Sequence, residues 1–262
     1  VAARIIDGVR WHLNHRDPRK NEPFKVQLEA LRRSAGRRGY NYWLDVGLGK
    51  TTTALNEFME LRSQGKVNFL GVVTLNSFRL SWPIEAAEFG CDLNLAVWPN
   101  IREPKDIIKA DGCIWNWESL IGSGGRALQY ALEHRKVYLV LDEAHKIKNP
   151  QAQVTKMFFG DRKKAVVGFL KDATVYRGMT GTPMSNSIMD LYPALRLGEQ
   201  LQGVNPYVFR NRHAKMGGFM NKQIVGINED NLPALEQLQD RAGFRATKDQ
   251  WLDLPEQHWK IL

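Results

Sequence analysis

The sequence predicts an α/β domain of three layers, a mainly parallel sheet flanked by helices, and three features carry that expectation. Short apolar runs recur between stretches of helical spacing, the alternation from which parallel sheets are built because each crossover returns the chain over a sheet face. Asp45-Val-Gly-Leu-Gly-Lys-Thr51 ends the first run in a glycine-rich turn. Asp142-Glu-Ala-His145 ends a later run, Val137-Tyr-Leu-Val-Leu141, in paired carboxylates, and open α/β sheets bind ligands outside the carboxyl ends of their strands.

The elements follow in order. Residues 24–37 have helical apolar spacing through Val26, Leu28, Ala30 and Leu31, and Gly36 and Gly39 stop the helix. Residues 40–44 form the first core strand, which runs into the glycine turn and a helix over about 50–62 that Gly65 ends. Residues 69–74 are a second strand, followed by a turn at Asn76-Ser77 and a helix ending near Phe89. Residues 93–98 and 112–115 are further strands, with a glycine-rich turn at Gly122-Ser-Gly-Gly125 after the second. Residues 137–141 and 174–179 complete the series. Trp115 and Trp117 alternate, which on a strand directs one to the core and the other to a groove. After Leu197 the pattern changes: 198–218 mixes glycine, basic and aromatic residues without a period, whereas 231–241 is helical by Leu232, Leu235 and Leu238. Residues 1–197 are therefore expected to form one lobe, with 1–20 as an extension, and 198–262 a partly helical segment beyond it. No internal repeat or low-complexity tract is present.

Composition sets outer limits. A chain of 262 residues, 43% of them hydrophobic, can bury one large core or two small ones. No apolar run approaches the roughly 20 residues of a membrane helix, and the stretch Val1-Ala-Ala-Arg-Ile-Ile-Asp7 lacks the apolar region of a signal peptide. A soluble cytoplasmic or nuclear protein with no membrane partner is expected. Cys91 and Cys113 lack metal-ligand spacing and fit ordinary reduced thiols. A net charge of +9 points toward a polyanionic partner, most often nucleic acid. The basic residues lie in short clusters: Arg16, Arg19 and Lys20; Arg32, Arg33, Arg37 and Arg38; Arg162, Lys163 and Lys164; Arg210, Arg212 and Lys215. Each cluster alone is more often a solvated face than a binding site.

The two strand-end motifs carry complementary chemistry. A phosphate cradle needs glycines, so that backbone N–H groups reach phosphate oxygens with no Cβ in the way, a lysine for the terminal phosphates, and a hydroxyl for Mg²⁺. Gly47, Gly49, Lys50 and Thr51 supply these, with Leu48 and Thr52 in the same turn, although Leu44 stands where the strict pattern has glycine. Of the acids, Asp142 is placed to hold Mg²⁺, normally through water, and Glu143 to orient and deprotonate an attacking water. Two acids after a strand can also cap the next helix. Taken jointly, the motifs indicate ATP and Mg²⁺ as cofactors and ATP hydrolysis as the reaction.

Further strings extend the series: Pro23-Phe24-Lys-Val-Gln27, Val72-Val-Thr-Leu-Asn-Ser77 with Trp82, Trp117-Glu-Ser-Leu120, Asp142-Glu-Ala-His-Lys-Ile-Lys-Asn149, and Gly178-Met-Thr-Gly-Thr-Pro-Met-Ser-Asn186. In this order, with the lysine turn, they resemble the first RecA-like lobe of superfamily-two helicases, and among those the Swi/Snf-like DNA translocases, whose first motif typically reads Gly-Leu-Gly-Lys-Thr. The resemblance spans most of the chain and implies a three-layer RecA-like P-loop fold. It implies that Gln27, with Phe24 beside it, reads adenine through an amide that both donates and accepts. Asn76, Ser77 and Trp117 fall in loops that touch the tracked nucleic-acid backbone, and Lys146 and Lys148 could bind its phosphates. His145 would link the acid motif to a coupling motif in which Thr180 and Thr182 sense the terminal phosphate. A satisfied histidine, a strand-end turn and solvated lysines are the plain alternatives.

The implied function is the ATP-binding lobe of a helicase or translocase that moves along DNA, expected to be duplex, through backbone contacts. Leu44 and Asp45 stand where many members have Asp-Glu, and Arg245-Ala-Thr-Lys248 is only similar to the Arg-Arg-x-Lys run that usually precedes a second lobe. Leu252-Asp-Leu-Pro255 looks like the start of that crossing, so the chain is expected to be a fragment whose partner is a C-terminal RecA-like lobe in the same protein. That lobe would bring an arginine finger worth roughly 10³ to 10⁵ in rate, and these residues alone would bind nucleotide weakly and turn it over slowly. Two alternatives stay open: the motor lobe of a restriction-type enzyme, and a non-catalytic nucleic-acid-binding module, against which intact Lys50, Thr51, Asp142 and Glu143 count.

Overall fold

The apolar runs become strands buried on both faces. The structure, a computed structural model, describes residues 3–251 apart from 102, 161–166, 185–186 and 222. A short hairpin of β1 (Arg4–Ile6) and β2 (Val9–Trp11) precedes the sheet strands β3 (Gly39–Leu44), β4 (Phe69–Thr74), β5 (Leu95–Val97), β6 (Gly112–Asn116), β7 (Val137–Asp142) and β8 (Val175–Met179). A second hairpin, β9 (Ala214–Gly217) and β10 (Gln223–Ile227), comes before the last sheet strand, β11 (Gly243–Ala246). The seven-stranded sheet has the order β11-β3-β8-β7-β4-β6-β5 and every pairing in it is parallel. All carboxyl ends therefore open on one edge, where Leu44, Thr74, Asp142 and Met179 finish their strands.

Helices cover both faces: α1 (Lys25–Ser34), α2 (Lys50–Ser63), α3 (Ser81–Glu88), α4 (Ser123–His134), α5 (Gln153–Phe159), α6 (Phe169–Asp172), α7 (Leu191–Leu197), α8 (Pro206–His213), α9 (Leu232–Ala242) and α10 (Lys248–Trp251). The period-two alternation of β4 and β7 divides the core. Leu70, Val72, Tyr138 and Val140 pack with Leu28, Leu55 and Phe58 of α1 and α2, whereas Phe69, Val73, Leu139 and Leu141 pack with Trp115, Leu128 and Phe158 on the other side. A third cluster joins Trp43 of β3 to Leu195, Phe209 and Leu235 of α7, α8 and α9.

Three expectations are corrected. Gly122–Gly125 is not a free turn, because α4 begins at Ser123. Its glycines are required by packing, since a Cβ on Gly124 would lie 2.6 Å from the Ser119 carbonyl oxygen and one on Gly125 2.1 Å from that of Leu120. Trp115 and Trp117 do not divide between core and groove: β6 ends at Asn116, Trp117 opens a 3₁₀ turn, and both indoles are buried in the same cluster. The lobe also does not stop at residue 197, because β11 pairs along β3 from Gly243↔Asn41 to Ala246↔Leu44 and covers what would be an open sheet edge. The cluster Arg162, Lys163 and Lys164, the motif residues Ser185 and Asn186, and Leu252-Asp-Leu-Pro255 lie outside the described residues. Among the described residues no helix is long and apolar enough to cross a membrane.

Between α2 and the sheet lies a buried ion pair. Glu57 of α2 is 7% exposed and Arg177 of β8 1%. Arg177 grips the carboxylate with Nε at 2.8 Å and Nη2 at 2.5 Å. Tyr42 of β3 and Tyr138 of β7 donate to the same carboxylate at 2.6 and 2.7 Å, and Ser34 of α1 at 3.1 Å. Burial alone would raise this carboxyl, but Arg177 and the hydroxyl donors outweigh it and hold it below the usual carboxylate range. Replacing Glu57 by Gln leaves Arg177 buried without a counter-charge, so urea denaturation at neutral pH should show a loss of about 3–5 kcal/mol. Because the folded carboxyl is depressed, its stabilisation is complete above the unfolded value near about 4.3 and is lost as pH falls through the lower folded value. The wild-type melting temperature should drop more steeply than that of Glu57→Gln on acidification below about pH 4, and parallel curves would refute this assignment.

Candidate active site

The end of β3 feeds a loop that closes on itself before α2. Leu48 N–H donates to the Asp45 carbonyl at 3.2 Å, and Gly47 (φ 87°) and Gly49 (φ 77°) adopt the left-handed conformation that favours glycine. Gly49 is doubly constrained, since a Cβ there would lie 2.2 Å from Gln27 Nε2. Lys50 Nζ donates to the Leu44 carbonyl at 2.8 Å. Burial lowers this ammonium's pKa, while Glu143, Asp142 and Asp45 pull it back up. The lysine of the turn and the acids of β7 thus share one electrostatic field at the carboxyl edge of the sheet.

Gln27 braces this loop. Its Nε2 donates to the Gly49 carbonyl at 3.1 Å and to Thr52 Oγ1 at 2.7 Å, and its Oε1 accepts from Phe24 N–H at 2.8 Å. Both amide hydrogens are engaged inside the protein, leaving the amide oxygen with spare accepting capacity. Phe24 itself is exposed beside it.

Asp142 is 8% exposed at the end of β7. Its Oδ2 accepts from Thr74 Oγ1 at 2.7 Å and Trp82 Nε1 at 3.3 Å, and its Oδ1 from Glu143 N–H at 3.1 Å. Burial raises the carboxyl, and the Thr74 and Trp82 bonds offset part of that rise. Glu143 follows in the left-handed region at φ 54°, an uncommon conformation for a residue with a side chain. That backbone turn carries its carboxylate to His145 Nδ1 at 3.1 Å and Thr180 Oγ1 at 3.4 Å. His145 Nδ1 also lies 3.4 Å from Thr180 Oγ1, which accepts from Thr182 N–H at 3.2 Å. The acid pair and the loop after β8 are thereby joined.

The oxygen donors present are of the kind a magnesium ion takes. Burial raises the Glu85 carboxyl of α3, and the Thr51 hydroxyl beside it offsets part of that rise, while Asp142 Oδ1 has a backbone N–H as its described partner. Hard oxygen donors of this kind suit Mg²⁺. Glu85 and Thr74 were not singled out by sequence reasoning. The signal for Glu85 was its spacing of three from Trp82, which puts both on one face of α3.

The residues expected to touch nucleic acid separate. Asn76 and Ser77 are exposed on a 3₁₀ turn after β4, Lys146 is exposed and Lys148 half-buried. Trp117 is corrected: it is 3% exposed, donates Nε1–H to the Asp142 carbonyl at 3.1 Å and packs edge-on to Phe158. Its indole therefore supports the acid strand and does not present a face to a ligand.

A left-handed glycine loop, a lysine at the head of its helix and a strand-end acid pair, carried on one parallel sheet, define a RecA-like P-loop lobe. The chain belongs to the family described as Type III restriction enzyme, res subunit, which residues 20–185 match. It is 24% identical over 238 residues to Protein CHROMATIN REMODELING 5 of Arabidopsis thaliana, covering 83% of this chain and 12% of that protein. It is 34% identical over 158 residues to Helicase SWR1 of Mycosarcoma maydis, covering 56% and 8%. Its fold is similar to the SWI2/SNF2 ATPase core of Sulfolobus solfataricus solved with dsDNA (TM-score 0.64, 22% identity, covering 87% of this chain and 45% of that one). The same core solved as a domain gives 0.62, 23% identity, 96% and 48%. The chain thus spans about a tenth of those curated relatives and under half of those cores.

Thr74→Val removes the shorter side-chain hydrogen bond to Asp142 Oδ2 without changing side-chain size much. Carbon NMR titration should place the Asp142 carboxyl higher than in wild type, because the variant lacks one hydrogen bond that favours the charged form. An unchanged titration would detach Thr74 from the site.

Proposed function

We propose that this lobe binds ATP with Mg²⁺ and, within a two-lobed motor, couples ATP hydrolysis to movement along duplex DNA. The observation that carries the reading is that Lys50 and Thr51, at the head of α2 after β3, and Asp142 and Glu143, at the end of β7, stand on the same carboxyl edge of one parallel sheet, with Glu143 tied to Thr180. Lys50 exchanges the Leu44 carbonyl for the terminal phosphates, and the N–H groups of the loop from Gly47 to Thr52, Leu48 included, receive the phosphate chain. Phe24 stacks on the adenine and the free lone pair of Gln27 accepts from its amino group. Thr51 and Asp142 hold the metal, which when bound offsets charge on the phosphates. Glu143 orients the attacking water and takes its proton, and His145 keeps the carboxylate aimed. Thr180, one bond from that carboxylate, and Thr182, bonded to Thr180, register whether the terminal phosphate is present.

The DNA part of the proposal draws support from the dsDNA-bound core with the same fold and from the net charge of +9. Asn76, Ser77, Lys146 and Lys148 lie in the loops that follow β4 and β7, on the edge where the nucleotide binds. Contacts to phosphates carry no sequence information, so affinity should be non-specific and fall steeply with salt. A second RecA-like lobe in the same protein supplies an arginine for full activity. A restriction-type motor, the kind of enzyme named in the family's description, would use this site in the same way.

In a two-lobed protein, Lys50→Ala should abolish nucleotide binding measured by calorimetry. Glu143→Gln should keep binding while DNA-stimulated turnover falls by roughly 10² to 10⁴. Wild-type turnover in Glu143→Gln would remove this residue from the chemistry, and wild-type binding in Lys50→Ala would remove the phosphate site.

A further inference from the structure

We infer that Lys248 is a second phosphate-positioning cation of the nucleotide site, an inference that rests on the ATP-binding reading above. The residue comes from the far end of the chain, and the fold brings it to the loop. β11 lies parallel to β3 with Ala246 opposite Leu44, and the ladder continues past the strand end as Asp45 N–H donates to the Ala246 carbonyl at 3.1 Å. Asp45 then turns its carboxylate back, and Oδ2 accepts the backbone N–H of Lys248 at 3.1 Å. Two hydrogen bonds thus fasten residues 246 and 248 to the first residue of the glycine loop.

The Lys248 side chain crosses that loop. Its Cε and Nζ lie 3.4 and 3.6 Å from the position a Cβ on Gly47 would take. The Asp45 carboxylate holds the backbone of Lys248, and among the described residues the Lys248 ammonium makes no ion pair. The positive charge of Lys248 also disfavours that of Lys50, so both ammoniums act on the same small volume. Two lysines held near one glycine loop repel each other. The cost is recovered when a polyanion enters between them, as a di- or triphosphate does and a monophosphate does less. Lys248 therefore favours nucleotides with a longer phosphate chain, and bound phosphate in turn fastens the segment from β11 into α10 to the loop.

The test compares ATP, ADP and AMP by calorimetry with excess Mg²⁺. Lys248→Met should weaken ATP and ADP by roughly 10-fold or more with little effect on AMP, and Lys248→Arg should restore most of the loss. Melting without nucleotide should be unchanged in both variants, which separates phosphate positioning from a structural role. Lys50→Ala is run in parallel. If ATP binding survives Lys50→Ala, the nucleotide site itself is wrong. If Lys50→Ala abolishes binding while Lys248→Met binds ATP as wild type does, or weakens all three nucleotides equally, the inference about Lys248 alone is overturned.

Discussion

A single buried carboxylate holds together the elements that deliver the site. Glu57 takes hydrogen bonds from Tyr42, Tyr138 and Arg177, which lie on β3, β7 and β8, and from Ser34 on α1. Each of those strands ends in site residues: β3 in the glycine loop, β7 in Asp142 and Glu143, β8 in Thr180. Glu57 belongs to α2, the helix that Lys50 begins. An ion pair with this burial is costly to assemble and costlier to break on one side only. Its weakness as a pure source of stability is offset by specificity of place, since one carboxylate satisfied by four partners tolerates only one mutual arrangement of three strands and two helices.

With β3, β7 and β8 tied to α2 through Glu57, the strands present their carboxyl ends together where chemistry is needed. Asp142 is buried there against Thr74, Trp82 and Trp117, and this burial raises its carboxyl, only partly offset by the Thr74 and Trp82 bonds, and favours compensation by a cation. Glu143, one residue on, adopts a left-handed backbone that an unconstrained glutamate would leave. That strain is held by the 3₁₀ turn of Ala144–Ile147 and by the contacts to His145 and Thr180. The two adjacent acids therefore differ in role because one looks back into the sheet and the other out toward the loop after β8. Neither assignment needs a difference in residue type.

The C-terminal part of the lobe works on the same edge from the opposite side. β11 completes the sheet beside β3, and its continuation returns over the glycine loop. Such an arrangement makes the phosphate loop a junction between the helix it begins, the strand it follows and the segment that leaves the sheet. Gln27 adds a fourth attachment by bonding the loop at Gly49 and Thr52.

Much of this was legible in the sequence because its signals are local. The glycine loop follows from backbone conformations that only glycine adopts easily, and the strands of the sheet from apolar runs that need two covered faces. The lysine, hydroxyl and paired acids were visible because their chemistry dictates residue type. What stayed hidden depends on pairings distant in the chain. Trp117 looked like half of an alternating pair until the end of β6 turned it inward, and Gly124 and Gly125 looked like a turn because the turn of backbone they pack against cannot be seen in their own neighbourhood. Short elements after Leu197 carry too few periods to signal their type, so β11 was missed, and with it the approach of Lys248. By itself, then, the sequence determined the class of fold and the kind of chemistry at its edge, since both rest on propensity and functional groups. Only the tertiary structure decided which carboxylate clamps the sheet, which indole is buried and which second lysine meets the loop, because each is a long-range contact whose partner is selected by packing.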